Sequence, residues 1–414
     1  MSNPPLMKVI RSLHFQQDRR EELNSVAPDQ WPGLLKQTDH SQLTLPLGIR
    51  CRDYLPDFAR NRIAQNLISN AARHRLLEAE YRLISDVFRA RSIDFIVLKG
   101  PSQIVPLYVP NADYRPQYDI DLYCPPDAVA AARDALASVG FLSLPAGARY
   151  SDHLPPMIRN MDWKWRGDYY APDLPLTVEL HFRFWDTQTE KLSAPCVEDF
   201  WRRRCSRIVG GAEIPMLSLA DTVSYSALHL MRHLLRGGFR VYHAYEIAHF
   251  LHQTEHDDVL WTKWIAGRAG KSAALEAVAF RFACEWFGCK THPIVDEQMK
   301  RLPARIGRWF DLFSHSPLDQ ERPNKDELFL HLSLLDNPRD RRSVMLRRLL
   351  PQPPRKYVEP GPADVERSLR AVVNGKFRNV SFFSARVAHH ARTTANLMAS
   401  LYRWKVSGRK YAVS

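Results

Sequence analysis

Cysteine is scarce in this sequence, with six residues in 414 and no CxxC pair among them. A chain of this size does not need disulfides to be stable, so this usage indicates a reducing compartment. Long apolar runs are also lacking, because no uncharged segment reaches the roughly 20 apolar residues of a membrane span. Residues 1–15 contain no sustained apolar stretch followed by a small-residue cleavage site. We therefore expect a cytoplasmic protein without an export signal or membrane span.

Acidic residues are rare only near the C-terminus. Residues 339–414 contain 17 Lys and Arg against 4 Asp and Glu, whereas the rest of the chain holds 41 of each sign. The net charge of +13 therefore belongs to this last part. The overall composition, 45% hydrophobic and 25% charged, is typical of a globular protein and excludes collagenous or disordered chains. At about 150 residues per domain, the length indicates two or three structural units.

Proline positions and apolar periodicity divide the chain into four regions. They are an irregular to helical lead (1–60), an α/β core (61–190), a helical domain (191–338) and a basic C-terminal region that combines a proline-containing linker with an amphipathic segment (339–414). Within the core, a helical period predicts one long helix over residues 61–91. Strands are predicted at 94–98, 118–124, 141–144 and 176–184, and a further helix at 125–139. The expected fold class is therefore α/β, or α+β.

Two carboxylates, Asp119 and Asp121, alternate on the second predicted strand. Residues i and i+2 of a strand point to the same face, about 7 Å apart at their Cα atoms. Like charges at that spacing repel unless a cation neutralises them, and Mg²⁺ prefers carboxylate and phosphate oxygens. The pattern indicates a metal site, while a solvated edge strand is the alternative.

A third carboxylate and three basic groups complete the candidate site. A two-metal phosphoryl-transfer centre needs a further carboxylate from a neighbouring strand, and Glu179 supplies one, with His181 on the same face. His181 is expected to bond Glu179 or substrate, or to be a structural histidine. Lys99 and Arg115 are the nearest cations in sequence. Each can neutralise a transferring phosphoryl group or form a structural ion pair with the aspartates.

Several short motifs follow one another from residue 95 onwards. They are Phe95–Gly100, Leu107–Tyr108, Arg115, Asp119–Leu122, the helix end Leu136–Phe141 and Val178–His181, followed downstream by Asp221, His229, His233 and Arg240. Their order and spacing resemble the uncharacterised nucleotidyltransferase family of the polymerase-beta-like superfamily, over roughly residues 60–300. The resemblance implies a polymerase-beta-like core with a small mixed sheet, followed by an all-helical domain.

The same resemblance assigns roles to particular residues. Gly100 and Ser102 stand where the superfamily holds triphosphate oxygens, and Asp119, Asp121 and Glu179 stand where it holds two Mg²⁺ (or Mn²⁺) ions. Lys99, Arg115 and His181 join Gly100 and Ser102 as the residues expected to contact the nucleotide. The implied substrate is a nucleoside triphosphate such as ATP.

The expected activity is transfer of a nucleoside monophosphate from the triphosphate to an acceptor hydroxyl or phosphate. The acceptor stays open between a small molecule, a sugar phosphate, a peptide, a protein and RNA. One alternative is a nucleotide- or partner-binding protein of the same fold without turnover, because Pro101 removes a backbone donor from the phosphate segment. Another is a nucleic-acid or membrane-surface binder acting through the basic tail, although packing of the tail on the protein itself is favoured and no nucleic-acid motif is evident.

His229 and His233 are spaced i, i+4 on a predicted helix, a spacing that can bind zinc. No third ligand lies nearby in the sequence, so we expect core or substrate-contact histidines.

Overall fold

The computed structural model describes residues 5–103, 114–144, 152–159, 163–194, 197–268, 270–319, 324–349, 388 and 391–407. Its strands are β1 (Ile96–Val97), β2 (Asp119–Tyr123), β3 (Leu142–Ser143), β4 (Met157–Ile158), β5 (Thr177–His181), β6 (Cys205–Val209) and β7 (Ala212–Met216). The helices before β6 are α1 (Pro5–Ser12), α2 (Trp31–Ser41), α3 (Thr44–Arg50), α4 (Asp57–Arg89), α5 (Val129–Ala137) and α6 (Thr187–Glu190).

Helices account for most of the chain after β7. They are α7 (Leu219–Arg236), α8 (Val241–Gln253), α9 (Asp258–Ala266), α10 (Gly270–Phe287), α11 (Pro293–Lys300), α12 (Ala304–Phe313), α13 (Glu327–Leu334), α14 (Pro338–Leu349) and α15 (391–407). None of the helices in the described ranges combines the length and apolar character needed to cross a bilayer. The predicted motif Leu107–Tyr108 and the proline-containing linker lie outside the described residues.

The seven strands form one mixed sheet in the order β3-β4-β5-β2-β1-β7-β6. Strand β2 pairs in parallel with β5 and antiparallel with β1, while β1 pairs in parallel with β7. The α/β class predicted from the sequence is therefore confirmed. Because β2 has a neighbour on each side, the alternative of a solvated edge strand is excluded for the two aspartates.

Alternation of apolar and polar residues decides which way β2 and β5 face. Ile120 and Leu122 of β2, with Val178 and Leu180 of β5, are buried against α4 and α5. The carboxylates alternate with these residues and therefore face the opposite side, towards the helices that follow the sheet. The same apolar packing that stabilises the sheet thus holds the acidic side chains in place.

The sheet continues past residue 190, where the helical domain was expected to begin. Strands β6 and β7 pair antiparallel around Gly210 and Gly211, both with positive φ, and β7 joins the sheet beside β1. A Gly-Gly turn between two short strands is a local signal for a hairpin, which was not among the predicted elements. The region 191–338 therefore starts with a hairpin and is helical from Leu219 onwards.

The described part of the basic tail packs on the protein itself. Trp404 of α15 stacks on Phe329 with ring centroids 5.4 Å apart, and the guanidinium carbon of Arg308 lies 3.7 Å from the Trp404 ring centroid. Leu397 is buried in the core that α7, α10 and α12 build. Aromatic and apolar contacts therefore hold α15 on the helical part of the fold.

Candidate active site

The three predicted carboxylates lie together on one face of the sheet. In the parallel pairing of β2 with β5, Asp121 is in register with Glu179, so these two carboxylates stand side by side. Asp121 is buried, with 1% of its side chain exposed, whereas Asp119 keeps 35% and Glu179 keeps 25%. The site therefore has one buried carboxylate between two that reach the surface of a cavity.

That cavity has a volume of about 300 Å³ and lies between the sheet and helices α7 and α8. The carboxylates that line the cavity come from the sheet, and the helices supply arginines and histidines. The basic side chains around the whole cavity are Lys99, Arg115, His153, His181, His229, Arg232, His233, Arg236, Arg240 and His243. Anionic and cationic groups of a ligand can thus be bound on opposite walls of one cavity.

Lys99 lies between the two aspartates of β2. Its Nζ is 2.8 Å from Oδ2 of Asp121 and 3.8 Å from Oδ2 of Asp119. Burial opposes the charge of Lys99, but the two carboxylates outweigh it and raise the pKa of this amine above its ordinary value. The structure thus gives Lys99 an ion pair with the aspartates, one of the two roles the sequence left open.

His181 links Asp121 to Glu179. Its Nε2 is 3.0 Å from Oδ1 of Asp121 and 3.6 Å from Oε2 of Glu179. Burial lowers the pKa of His181, but its contacts with the two carboxylates outweigh burial and raise it. Burial likewise acts to raise the pKa of Asp121, yet Lys99 and His181 lower it below its ordinary value. The Lys99 ammonium and the His181 hydrogen bond therefore both favour the ionised form of Asp121.

The surroundings of Asp119 shift its pKa in the opposite direction from that of Asp121. Burial raises its pKa, the nearby charge of Asp121 raises it further, and Lys99 only partly compensates. A carboxylate that is costly to ionise and faces a cavity is a candidate for binding a cation. The repulsion between the two aspartates that the sequence spacing predicted is therefore present in the structure. It contributes to the raised pKa of Asp119, whereas the pKa of Asp121 is lowered.

Arg115 is buried and pairs with a residue that the sequence analysis did not identify. Its Nε donates to Oε1 of Glu246 on α8 at 2.7 Å, and its pKa is raised because the Glu246 charge outweighs burial. Polar side chains of α4 bind the backbone beside it. Asn70 and His74 contact the carbonyl oxygen of Arg115, and Arg73 donates to that of Gln117. The guanidinium is therefore fixed between the sheet and α8.

Gly100 and Ser102 lie beside the cavity and are absent from its described lining. The Ser102 hydroxyl is fully buried and donates to the carbonyl oxygen of Leu98 at 3.0 Å. Gly100 has φ +69°, and a Cβ there would lie 2.6 Å from the Gln117 amide and 2.7 Å from the Tyr81 hydroxyl. Close packing against Gln117 and Tyr81 thus requires a glycine at this position.

Replacing Gly100 with alanine is expected to destabilise the protein by about 2 kcal/mol or more. Left-handed backbone strain costs about 1–2 kcal/mol for a residue with a Cβ, and the new methyl group would also displace Gln117 from its hydrogen bond to Tyr81. The midpoint of urea unfolding measures this change. Gly33→Ala is the control, because nothing lies within 4 Å of its added Cβ in helix α2, so its midpoint should stay or rise. Equal effects of both substitutions would contradict this account of Gly100.

Three histidines meet on the helical wall of the cavity. His229 and His233 of α7 and His243 of α8 place their ligand atoms within 4.8 Å of one another. His243 is the third histidine that the linear spacing did not reveal. Burial, and then neighbouring positive charges, lower the pKa of His229 and His233 well below the ordinary value, and the pKa of His243 is lowered as well. The cluster is therefore neutral at pH 7.

Two buried acids that the sequence analysis missed organise the basic wall. Asp152 pairs with Arg232 at 3.2 Å and with His153 at 2.8 Å, and Glu246 pairs with Arg115. Glu246 lies three residues after His243 on the buried face of α8, which is the local signal that could have revealed it. Asp152 lies in an irregular segment, and no periodic pattern marks it.

Carboxylates and basic side chains around one cavity suit a divalent cation together with phosphate, because Mg²⁺ takes carboxylate and phosphate oxygens and Lys or Arg neutralises phosphate charge. The sequence profile described as an uncharacterised nucleotidyltransferase matches residues 28–288, which include every residue of the cavity. The chain belongs to this nucleotidyltransferase family, as the motifs predicted. It matches no curated protein and no solved structure.

Proposed function

We propose that the protein is a Mg²⁺-dependent nucleotidyltransferase that transfers a nucleoside monophosphate from a nucleoside triphosphate to an acceptor hydroxyl or phosphate. The observation that carries the proposal is the register of Asp121 with Glu179 on adjacent parallel strands, with Asp119 on the same face. Family membership supports nucleotidyl transfer in general. Beyond what family membership supports, we propose the metal, the direction of transfer and the roles of the residues.

The chemistry of the donor set fits a hard divalent cation. Asp119 and Glu179 present partly exposed carboxylate oxygens to the cavity, and Mg²⁺ and Mn²⁺ both take such ligands. Burial and then the charge of Asp121 raise the pKa of Asp119, so an added cation would favour its ionised form. Asp119, Asp121 and Glu179 would hold two ions, which when bound supply positive charge to the transferring phosphoryl group and acidify the acceptor hydroxyl.

The other residues of the site orient this carboxylate set. His181 has a hydrogen bond with Asp121 and lies 3.6 Å from Glu179, and so restricts the rotation of the Asp121 side chain. Lys99 carries a fixed positive charge next to Asp121, where it can also neutralise a phosphate oxygen of the substrate. Glu179 is the partly exposed carboxylate at the end of this network and is proposed to help activate the acceptor oxygen.

A metal-binding measurement tests the proposal without knowledge of the acceptor. Mn²⁺ binding in the presence of each of the four nucleoside triphosphates is followed by calorimetry for the wild type and Glu179→Gln. We expect an affinity lower by about 100-fold in the variant, since even an outer-shell partner contributes 10–100-fold. Glu213→Gln, an exposed glutamate on β7 of the same sheet, is the matched control. Equal Mn²⁺ affinity in all three proteins would refute the assigned ligand set.

A second candidate function is nucleotide binding without turnover. It is favoured by one observation, the Lys99 ammonium 2.8 Å from Asp121, because an internal cation already satisfies the buried carboxylate. Pyrophosphate release distinguishes the two candidates when the wild type is given Mg²⁺, a triphosphate and a panel of hydroxyl- and phosphate-bearing acceptors. Tight metal-dependent nucleotide binding with no pyrophosphate release over the whole panel would support the binding protein.

A further inference from the structure

The arginines of the cavity differ in whether an acidic partner holds them. Arg232 pairs with Asp152, Arg236 donates to Glu190 at 2.7 Å, and Arg115 pairs with Glu246. The guanidinium of Arg240 has no ion pair or hydrogen bond with any residue that the structure describes. Acidic partners thus balance the charges of these three arginines, whereas no described residue pairs with Arg240. The charge of Arg240 can therefore act on a ligand.

Arg240 lies where its charge reaches the interior of the cavity. It directly precedes α8, whose first turn contains no acidic residue, and its side chain is exposed and lines the cavity. Asp119, His233 and His243 line the same cavity. Arg240 is therefore close both to the acidic wall and to the histidine cluster.

The surroundings of the histidine cluster suit an anion better than a metal ion. The ammonium of Lys99 is 3.1 Å from Nε2 of His229, and that nitrogen is 3.0 Å from Nε2 of His233. A cation bound by these nitrogens would lie next to the fixed charge of Lys99 and near those of Arg232 and Arg240. Imidazoles can instead donate N–H bonds to an oxyanion, whose negative charge favours the protonated ring with two N–H donors.

The segment expected to hold phosphate offers few donors to the cavity. The hydroxyl of Ser102 is used by Leu98, Pro101 has no N–H, and the N–H of Gly100 donates to the side chain of Gln103 at 3.3 Å. A polyphosphate ligand in this cavity therefore needs donors from elsewhere, and the helical wall has them.

We propose that Arg240, His233 and His243 form a phosphate-binding site on the helical wall, opposite the carboxylates. The inference rests on the proposed function and deepens it, because it assigns the phosphate contacts to helices α7 and α8. The phosphate belongs either to the tail of the nucleoside triphosphate or to a phosphorylated acceptor. Both sources share the chemistry of a multiply charged oxyanion, for which an arginine beside N–H donors is suited.

Calorimetric titration with tripolyphosphate and with the four nucleoside triphosphates tests the site. The proteins are wild type, Arg240→Ala, Arg240→Lys, and Arg75→Ala as a control, since Arg75 is exposed on α4 away from this cavity. We expect Arg240→Ala to lose about tenfold or more in phosphate affinity, Arg240→Lys to lose less, and Arg75→Ala to match wild type. Because Arg240 is exposed, the substitution should leave the unfolding midpoint unchanged.

Competition identifies the source of the phosphate. If tripolyphosphate competes with the nucleotides and both weaken in Arg240→Ala, the site takes the triphosphate tail. If inorganic phosphate binds wild type already saturated with a non-hydrolysable triphosphate, and only this binding is lost in the variant, the site takes an acceptor phosphate.

Unchanged affinities in Arg240→Ala, or no phosphate binding by the wild type at millimolar concentrations, would overturn the site. The Mn²⁺ measurement on Glu179→Gln is independent of Arg240, so failure of this inference and failure of the proposed function give different results.

Discussion

Asp119→Asn is expected to slow the proposed nucleotidyl transfer severely while leaving the protein at least as stable as the wild type. Loss of one carboxylate of the proposed metal site removes several kcal/mol of transition-state stabilisation, which at about 1.4 kcal/mol per tenfold corresponds to a rate lower by about 10³. Asparagine has nearly the same shape and carries no charge, so the repulsion between Asp119 and Asp121 disappears. Lys99 keeps its closer partner, Asp121.

The pH dependence of this gain in stability follows from the raised pKa of Asp119. A carboxyl whose pKa is higher in the folded state than in the unfolded chain destabilises the fold once pH rises through the folded value. Below the ordinary value of about 3.9 the group is protonated in both states and this cost is absent. Asp119→Asn should therefore unfold at a higher temperature than wild type at neutral pH, and the advantage should vanish in acid.

Thermal unfolding across pH and pyrophosphate release at neutral pH measure the two effects. Asp134→Asn, at an exposed position on α5 where Asp134 pairs with Arg133, is the matched control and should change neither. A variant of Asp119 that melts well below wild type would show that this carboxylate stabilises the fold. Full activity in that variant would remove Asp119 from the metal site.

Arg115→Ala is expected to lower the free energy of unfolding by about 3–5 kcal/mol, because it leaves Glu246 buried without its ion-pair partner. Glu246 has only 2% of its side chain exposed, and Arg115 outweighs the effect of burial in lowering its pKa. The carbonyl oxygen of Arg115 would also lose its fixed position against Asn70 and His74 of α4. The substitution therefore weakens the contact of the sheet with both α4 and α8.

Urea unfolding of a double variant distinguishes the loss of the ion pair from the loss of side-chain volume. Arg115→Met with Glu246→Gln removes both charges while filling most of the volume, so it should recover part of the loss seen in Arg115→Ala. Arg236→Met is a useful comparison, because this arginine also lines the cavity but keeps 34% of its side chain exposed. A loss below about 1 kcal/mol for Arg115→Ala, the range of surface ion pairs, would contradict the structural role of this pair.

Much of the site could be predicted from the sequence, because the positions of its carboxylates depend on local periodicity. A strand must alternate its side chains, so Asp119 and Asp121 share a face, and the next strongly alternating strand contributes Glu179 and His181 to a neighbouring position. Motif order was sufficient to predict the nucleotidyltransferase family, and the profile match over residues 28–288 confirms it. The long helix was predicted within four residues of its observed ends.

The partners of these residues depend on contacts between distant segments. Glu246 reaches Arg115 across 131 positions, and His229 reaches Lys99 across 130, so no window of sequence contains either pair. The hairpin at 205–216 has a local signal in its Gly-Gly turn, whereas the pairing of β7 with β1 depends on a contact between distant segments.

By itself, the sequence determined the family, the α/β class and the common face of the carboxylates, since each follows from residue order and a period of two or 3.6. Only the tertiary structure decided that α7 and α8 close the cavity with a basic wall. It alone decided that Lys99 neutralises Asp121 while Arg240 has no partner among the described residues. The physical reason is that charge pairing depends on distance in space, which chain packing sets and linear spacing does not record.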